Sequence, residues 1–267
     1  MTAFQALVLG LVQGLSEFLP ISSSAHLTLT PWLLRWPDPG LASDVALHVG
    51  TLVAVALYFR REWFALIRSG IRMVQRGAIE TPEERRVLFL VIATIPAAVA
   101  GLLLQSMAEH AFRSPRLIAA ALFAMGLALW LVDRASRRNR PLPEMRWADA
   151  LWIGLAQALA LVPGVSRSGA TITASRALGF DRQSAAVFSF LMSFPVIAAA
   201  AVLEAPRAVH AGGPLAPLLV GVTSAAISSA VAIALLLRFV LRHSYGIFAL
   251  YRVLLAGAVL LVVAARG

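Results

Sequence analysis

Gln13-Gly-Leu-Ser-Glu17-Phe-Leu-Pro20-Ile-Ser22-Ser23-Ser24-Ala-His26 lies inside an N-terminal region that is otherwise almost wholly apolar. Glu17, three consecutive serines and a histidine are costly at membrane depth, and an ionisable group there marks a functional site by default. Pro20 removes a backbone donor and crowds the preceding turn, which predicts a helix over 2–19 that stops at the proline. The serines then fall on irregular backbone. Lipid tolerates such backbone only where protein buries it or where it lines a watery cavity. Gln13 and Glu17, four apart, share one helix face directed at the break. Ser23 and His26, three apart, share a face if a second short helix begins at the serines.

The composition agrees with a membrane setting. Of 267 residues, 60% are hydrophobic and only 13% charged, with a mean hydropathy of +0.81. A soluble domain has roughly a quarter of its residues charged, and several apolar runs approach the ~20 residues that cross a hydrocarbon core. The chain reads as an all-α, polytopic integral membrane protein, one membrane domain over 1–267 with no room for a sizeable soluble domain. Its net charge is +10, and every basic residue is arginine. In a membrane protein such an excess marks cytoplasmic loops against anionic lipid, so no nucleic-acid partner is expected. Without cysteine there is no disulfide framework, thiolate nucleophile or Cys-based metal site. No basic residue precedes the first apolar run and Glu17 interrupts it, so no cleaved signal peptide is expected.

Residues 22–30 make a short arm before Pro31, Pro37, Pro39 and Gly40 open a loop, which predicts a re-entrant hairpin rather than two spans. Spans are expected at 42–59, 87–106, 116–132, 183–203, 215–240 and 247–265, about six transmembrane helices. Arginine-rich loops are expected at 60–86 and 134–147, the second containing Arg137 and Arg138. Further links are expected around Glu109, His110 and Arg113, from Glu204 through Pro206 and Arg207 to Gly212 and Gly213, and at Arg242 and His243. The opening pattern returns at 148–178, as an apolar helix up to Pro163, a polar break and a second short arm. Gly10-Leu-Val-Gln13 parallels Gly154-Leu-Ala-Gln157. Three spans follow each copy, so the second must enter from the opposite side. That predicts an inverted-topology repeat, with units at about 1–135 and 148–267, whose two re-entrant hairpins meet near the midplane. The positive-inside rule puts the arginine-rich loops in the cytoplasm and both termini outside. The first hairpin then dips in from the extracytoplasmic side.

In the second break, Pro163-Gly-Val-Ser166-Arg167-Ser168-Gly-Ala-Thr171, the guanidinium of Arg167 cannot easily snorkel from a mid-bilayer tip. It needs an anion, and its planar fork suits phosphate or carboxylate. Ser166, Ser168 and Thr171 flank it, and a helix beginning near Ser168 aims free N–H groups at the same place. A standing pair with Glu17, the serines merely capping helices, is the alternative. Glu17, Ser23 and His26 supply a metal ligand, a nucleophile and a proton carrier. With Arg167 they complete the groups that phosphoryl transfer requires. Ser22 and Ser24 taken singly read as satisfying broken backbone. His48, His110, His210, His243 and Arg252 read as structural or interfacial, and Arg176 as an interfacial anchor. A secondary transporter or lipid flippase, which also uses inverted repeats and broken helices, is the competing class.

The first stretch resembles the (E/Q)xxxE-plus-serine motif of the BacA-type undecaprenyl pyrophosphate phosphatases, and the second resembles their PGxSRSxxT motif. The resemblance covers essentially the whole chain. It implies a hydrolase of the bacterial cytoplasmic membrane that takes the terminal phosphate from a long isoprenoid diphosphate lipid. That reaction recycles the carrier for peptidoglycan synthesis and resists bacitracin, which sequesters the same lipid. The resemblance also implies a divalent cation, Mg2+ or Ca2+, with Glu17 and Gln13 as its ligands. By position it makes Ser23 the nucleophile and His26 the acid/base. Arg167, with Gln13, Ser22, Ser166, Ser168 and Thr171, becomes the phosphate holder. Gln13 stands where many members carry glutamate. The expected partners are the lipid substrate, the membrane and a second copy in a homodimer.

Overall fold

The computed structural model describes residues 1–104, 111–136, 139–211 and 215–266. The expected link positions Glu109, His110, Arg137, Arg138, Gly212 and Gly213 therefore lie outside the described residues, as do the side chains of Glu204, Pro206, Arg207 and His210. Helix α1 (Ala3–Phe18) starts at Thr2, whose hydroxyl accepts from Gln5 N, and ends at Leu19, whose backbone is extended ahead of Pro20. Helix α2 (Ser23–Leu34) follows. It runs through Pro31 instead of stopping there, because Arg35 adopts a left-handed conformation and returns its N–H to Pro31 O. Then come α3 (Gly40–Tyr58), α4 (Arg60–Arg76), α5 (Pro82–Leu103) and α6 (Pro115–Ala135). Helix α7 (Trp147–Ala158) is extended by a 3-10 turn at Leu159–Leu161. The remaining helices are α8 (Arg167–Ala177), α9 (Arg182–Ala211), α10 (Leu215–Val240) and α11 (Gly246–Arg266).

Five helices, α5, α6, α9 over Arg182–Leu203, α10 and α11, are long and apolar enough to cross a membrane. The α3–α4 pair, bent by 82°, makes a sixth if counted as one span. This is a multi-pass membrane protein. Two expectations are corrected. Residues 60–76 are not loop but helix, because Phe64, Ile67, Ile71 and Val74 recur at helical spacing and arginine is a good helix former. Those four apolar side chains are exposed, so α4 presents an uncovered apolar face beside its arginines. Helix α9 likewise continues to Ala211, past the link expected from Glu204.

What positions the site is how the two broken hairpins interlock. Helix α1 lies directly against α10, where a Cβ on Gly14 would come within 2.4 Å of Ala225 O. Ser22 and Ser166, which precede the short helices α2 and α8, both hold positive φ, 76° and 72°. That conformation strains a non-glycine residue and persists only where its surroundings impose it. Here the impositions are visible. Ser22 Oγ accepts from Gly164 N at 3.0 Å, and Ser168 Oγ donates to Leu19 O at 3.0 Å, so each break is tied to the other. Gly164 has φ +100° and leaves no room for a side chain, since a Cβ would sit 2.6 Å from Ile118 O.

Arg252 of α11 completes the knot. Its side chain is fully buried and donates to Pro20 O (3.1 Å), Gly164 O (2.6 Å), Val165 O (3.0 Å) and Leu122 O (3.3 Å). Three of these backbone carbonyls, at Pro20, Gly164 and Val165, are left without helical donors by the breaks and are satisfied by one planar fork. The structural role expected for Arg252 holds, although it is not interfacial. Arg176 is buried as well, its Nε 2.9 Å from Asp133 Oδ1, so it is a core ion pair rather than an interfacial anchor. Beneath the knot, Phe18 meets Phe190 edge-on at 5.1 Å between ring centroids. Replacing Arg252 by methionine strands the three buried acceptors of the breaks and is expected to lower stability by on the order of 4 kcal/mol. Thermal unfolding in detergent measures this, and Arg252→Lys, with three donors on a point charge, should recover only part of the loss.

Candidate active site

A cavity of about 240 Å³ opens where the hairpins meet, and Glu17, Ser23, Ser24, Val45, His48 and Arg167 line it. Ser23 and Arg167 are the first residues of α2 and α8, so the two breaks deliver corresponding positions to the same wall. Helix α1 brings Glu17 from one side and α3 brings His48 from the other. Val196, Ile197 and Ala200 of α9 close the apolar wall.

Glu17 is the hub. It is 5% exposed, and its two oxygens are differently engaged. Oε1 faces Arg167 Nη2 at 3.1 Å. Oε2 accepts from Ser23 Oγ at 2.5 Å and from Gln13 Nε2 at 3.0 Å, and lies 3.3 Å from His48 Nε2. A buried carboxylate is tolerable only with this density of donors and countercharge. Arg167 is steadied from behind, donating to Ser189 O at 2.7 Å. The standing Arg167–Glu17 pair, the alternative reading of the sequence, is thus formed. It does not exhaust the guanidinium, because Arg167 Nε is buried without a partner. A buried unpaired N–H is costly, and here it is spare capacity for a further oxygen.

The other expected site residues are placed less uniformly. Gln13 touches Glu17 and keeps a buried, unpartnered Oε1. Ser22 and Ser166 cap α2 and α8 with their hydroxyls. Thr171 Oγ1 donates to Arg167 O at 2.9 Å and meets Ser189 Oγ at 2.7 Å. Together with Ser168, bonded to Leu19 O, these side chains are committed to the protein itself and build the frame of the cavity rather than its lining. His26 is turned away. Its Nδ1 binds Ser22 O at 2.7 Å and its Nε2 meets the Tyr251 hydroxyl at 2.7 Å. Its ring lies parallel to that of Tyr251 and borders a separate apolar groove of about 620 Å³ with Leu15, Leu19, Phe239 and Phe248. The shared face expected for Ser23 and His26 is therefore not formed. Both the carbonyl one turn back and the tyrosine draw the imidazole the other way.

His48 is the residue the sequence reading passed over as structural. A signal was available, since a histidine inside an apolar span is the same kind of costly group as Glu17. Ser189 O carries no such signal, because any residue type supplies a carbonyl. Among the described residues, no three His, Cys, Asp or Glu side chains gather to hold a metal ion alone. Glu17 and the orphaned Gln13 Oε1 are nevertheless two hard oxygen donors side by side, which fits a cation whose shell is completed by ligand oxygens.

Comparison with known proteins matches residues 6–258 to the family described as Bacitracin resistance protein BacA. The chain is 57% identical over 266 residues to the undecaprenyl-diphosphatase of Gemmatimonas aurantiaca, with 100% of both chains covered. It is 50% identical over 262 residues to that of Moorella thermoacetica, covering 98% of each, and 47% identical over 266 residues to that of Pelotomaculum thermopropionicum, covering 100% and 98%. The geometry of Arg167 makes its own prediction. Inorganic phosphate at ten times its dissociation constant should stabilise the protein in detergent by about 1.4 kcal/mol. Arg167→Ala should abolish that shift, which a thermal-unfolding titration reads directly.

Proposed function

Because this chain belongs to the bacitracin resistance protein BacA family, it is an undecaprenyl-diphosphatase, and we propose that its hydrolysis runs in the cavity shared by Glu17, Ser23, His48 and Arg167. The observation that carries this reading is the Glu17 carboxylate, which binds the Ser23 hydroxyl through one oxygen and the Arg167 guanidinium through the other. A nucleophile with its base already in hydrogen-bond contact, beside a phosphate-shaped cation, is the arrangement phosphoryl transfer needs.

In this mechanism the terminal phosphate of undecaprenyl diphosphate draws Arg167 from Glu17 Oε1 onto its own oxygens, engaging the unpaired Nε as well. Losing that countercharge makes Glu17 a stronger base toward Ser23. Ser23 Oγ attacks the terminal phosphorus in line as its proton passes to Glu17 Oε2. The bond to the bridging oxygen breaks, and its electron pair leaves with undecaprenyl phosphate. Water then attacks the phosphoserine, the serine oxygen recovers the proton held by Glu17, and inorganic phosphate departs. Gln13 orients Glu17. Ser22, Ser166, Ser168 and Thr171 hold the two breaks in shape, and His26 supports the start of α2 through Ser22 O. A divalent cation, Mg2+ or Ca2+, would be held by Glu17 and Gln13 Oε1, where it would neutralise charge on the diphosphate.

The same reading includes the inverted repeat, with units at about 1–135 and 148–267. Its supports are the paired positive-φ serines, the matching placement of Ser23 and Arg167, and the buried pair Gln13 and Gln157, each with an unpartnered Oε1. The arginine distribution supports a cytoplasmic α4 and α6–α7 link, and with it the reading that both termini and the cavity mouth face the extracytoplasmic side of the bacterial cytoplasmic membrane. A homodimer is compatible with this arrangement. The chemistry is tested with substrate labelled in its terminal phosphate. Acid quench should trap label on Ser23, and Ser23→Ala should lose at least about three orders of magnitude in phosphate release. Label trapped on the protein in Ser23→Ala, or full turnover without trapping, would replace the phosphoserine by another nucleophile.

A further inference from the structure

Helix α4 takes no part in the candidate cavity, and its side chains are sorted in a way the cavity does not explain. Phe64, Ile67, Ile71 and Val74 recur at three- and four-residue steps, and each is more than half exposed. Arg61, Arg68, Arg72 and Arg76 recur at steps of seven and four along the adjoining side. Of the seven arginines between 60 and 86, Arg76 alone has carboxylates within ion-pair distance among the described residues, those of Glu80 and Glu84. The other six carry no direct countercharge. Beneath the apolar face, α4, α5 and α9 border a groove of about 510 Å³. Trp63, Ile67 and Ile71 line it from α4, Leu90 and Ala98 from α5, and Phe194 from α9. The Thr94 hydroxyl at its wall donates to Leu90 O at 2.7 Å, which leaves an apolar lining. Ile67 and Ile71 belong both to the exposed face and to the groove, so the two are continuous.

We propose that the groove under α4 takes an acyl chain of an anionic phospholipid, with Arg68 and Arg72 on its phosphate. The site is separate from the cavity of Glu17 and Arg167 and does not depend on what that cavity does. Charge sets the choice of lipid. Arg68 and Arg72 are four apart, which puts their guanidinium groups on neighbouring turns within reach of one phosphate. Each directly follows an isoleucine that lines the groove, so headgroup and chain meet α4 on adjoining strips. A helix with arginine on one side and aromatic and aliphatic side chains on the other lies in the membrane interface. At 82° to α3, α4 has the direction such a helix needs beside a crossing neighbour.

Dimension and symmetry agree. Along α5 the groove runs from Val87 to Ala98, about 17 Å at the helical rise per residue. That is close to half of the ~30 Å hydrocarbon core, the depth of one leaflet. A second copy of the chain is a poorer occupant, because a two-fold contact through α4 would set the arginine stripe against itself. Phe194 and Pro195 of the lining immediately precede Val196 and Ile197, which border the candidate cavity. The lodged chain therefore rests against the same length of α9.

The test uses the full chain in phosphatidylcholine vesicles doped with a phospholipid brominated in its acyl chains, whose bromine quenches nearby indole fluorescence. Trp63 emission is taken as the difference between the wild type and Trp63→Phe. Brominated phosphatidylglycerol should half-quench it at a mole fraction at least about fivefold below that of brominated phosphatidylcholine, the preference expected of one arginine at an anionic headgroup. The double substitution Arg68→Gln, Arg72→Gln, in which glutamine keeps the helix, should bring the two values within about twofold. Equal values in the wild type, or an unchanged preference in the double variant, overturn the proposal. Quenching that undecaprenyl phosphate relieves at equal mole fraction assigns the groove to the isoprenoid chain, and no quenching of Trp63 means that protein covers it; either result overturns the proposal as well. Should Trp63→Phe fail to fold, native mass spectrometry of the wild type takes its place. From an equimolar mixture the wild type should retain phosphatidylglycerol over phosphatidylcholine by the same factor, and equal retention overturns the site. Phosphate release is not a readout, so a failure of the cavity reading leaves this result standing.

Discussion

A single guanidinium holds together the least regular part of the chain. Breaking a helix inside a membrane leaves carbonyls that neither water nor lipid can satisfy. In this protein the breaks after α1 and α7 leave such carbonyls at Pro20, Gly164 and Val165, and the Arg252 fork reaches all three. With the breaks fixed there, Ser22 and Ser166 are held at dihedrals they would not choose, and α2 and α8 begin with their first residues in one cavity. Position and strain come from the same bonds. The geometry of the cavity therefore depends on an arginine in α11 that does not line it.

Much of this could be read from residue order, because the strongest constraints are local. Pro20 and Pro163 end helices by sterics, and glycine and serine after them mark the irregular turns. Glu17, Ser23 and Arg167 stand out because charge and hydroxyls are rare in apolar surroundings, and the fold does bring these three together. What escaped the reading depends on partners distant in sequence. Pro31 looks like a terminus until Arg35 closes the turn behind it. Residues 60–76 look like a loop when their arginines are counted, and like a helix only when the apolar spacing between them is followed. His26 looks ideally placed three residues after Ser23, and only Tyr251, far along the chain, shows where the ring points. His48 is legible in principle, because it lies inside an apolar span, unlike the loop histidines.

The cavity also shows how one carboxylate can serve several neighbours without ambiguity. Oε2 collects the donors from Ser23 and Gln13, while Oε1 is reserved for the guanidinium. A glutamine at position 13 fits this division. Its amide gives a hydrogen bond to Oε2 where a second carboxylate would add a like charge beside Glu17. The region can then hold a carboxylate and a guanidinium in an otherwise apolar setting.

If hydrolysis runs in this cavity as proposed, the resting contact between Arg167 and Glu17 has a consequence for the end of the cycle. An empty site with a bare guanidinium would cling to inorganic phosphate and stall after each turnover. Here a tethered rival stands 3.1 Å away, ready to reclaim the cation as soon as the free anion loosens. On the proposed reading the enzyme carries its own displacing ligand, and the departure of a doubly charged product from a greasy interior becomes an exchange between two oxyanions instead of a separation of charge.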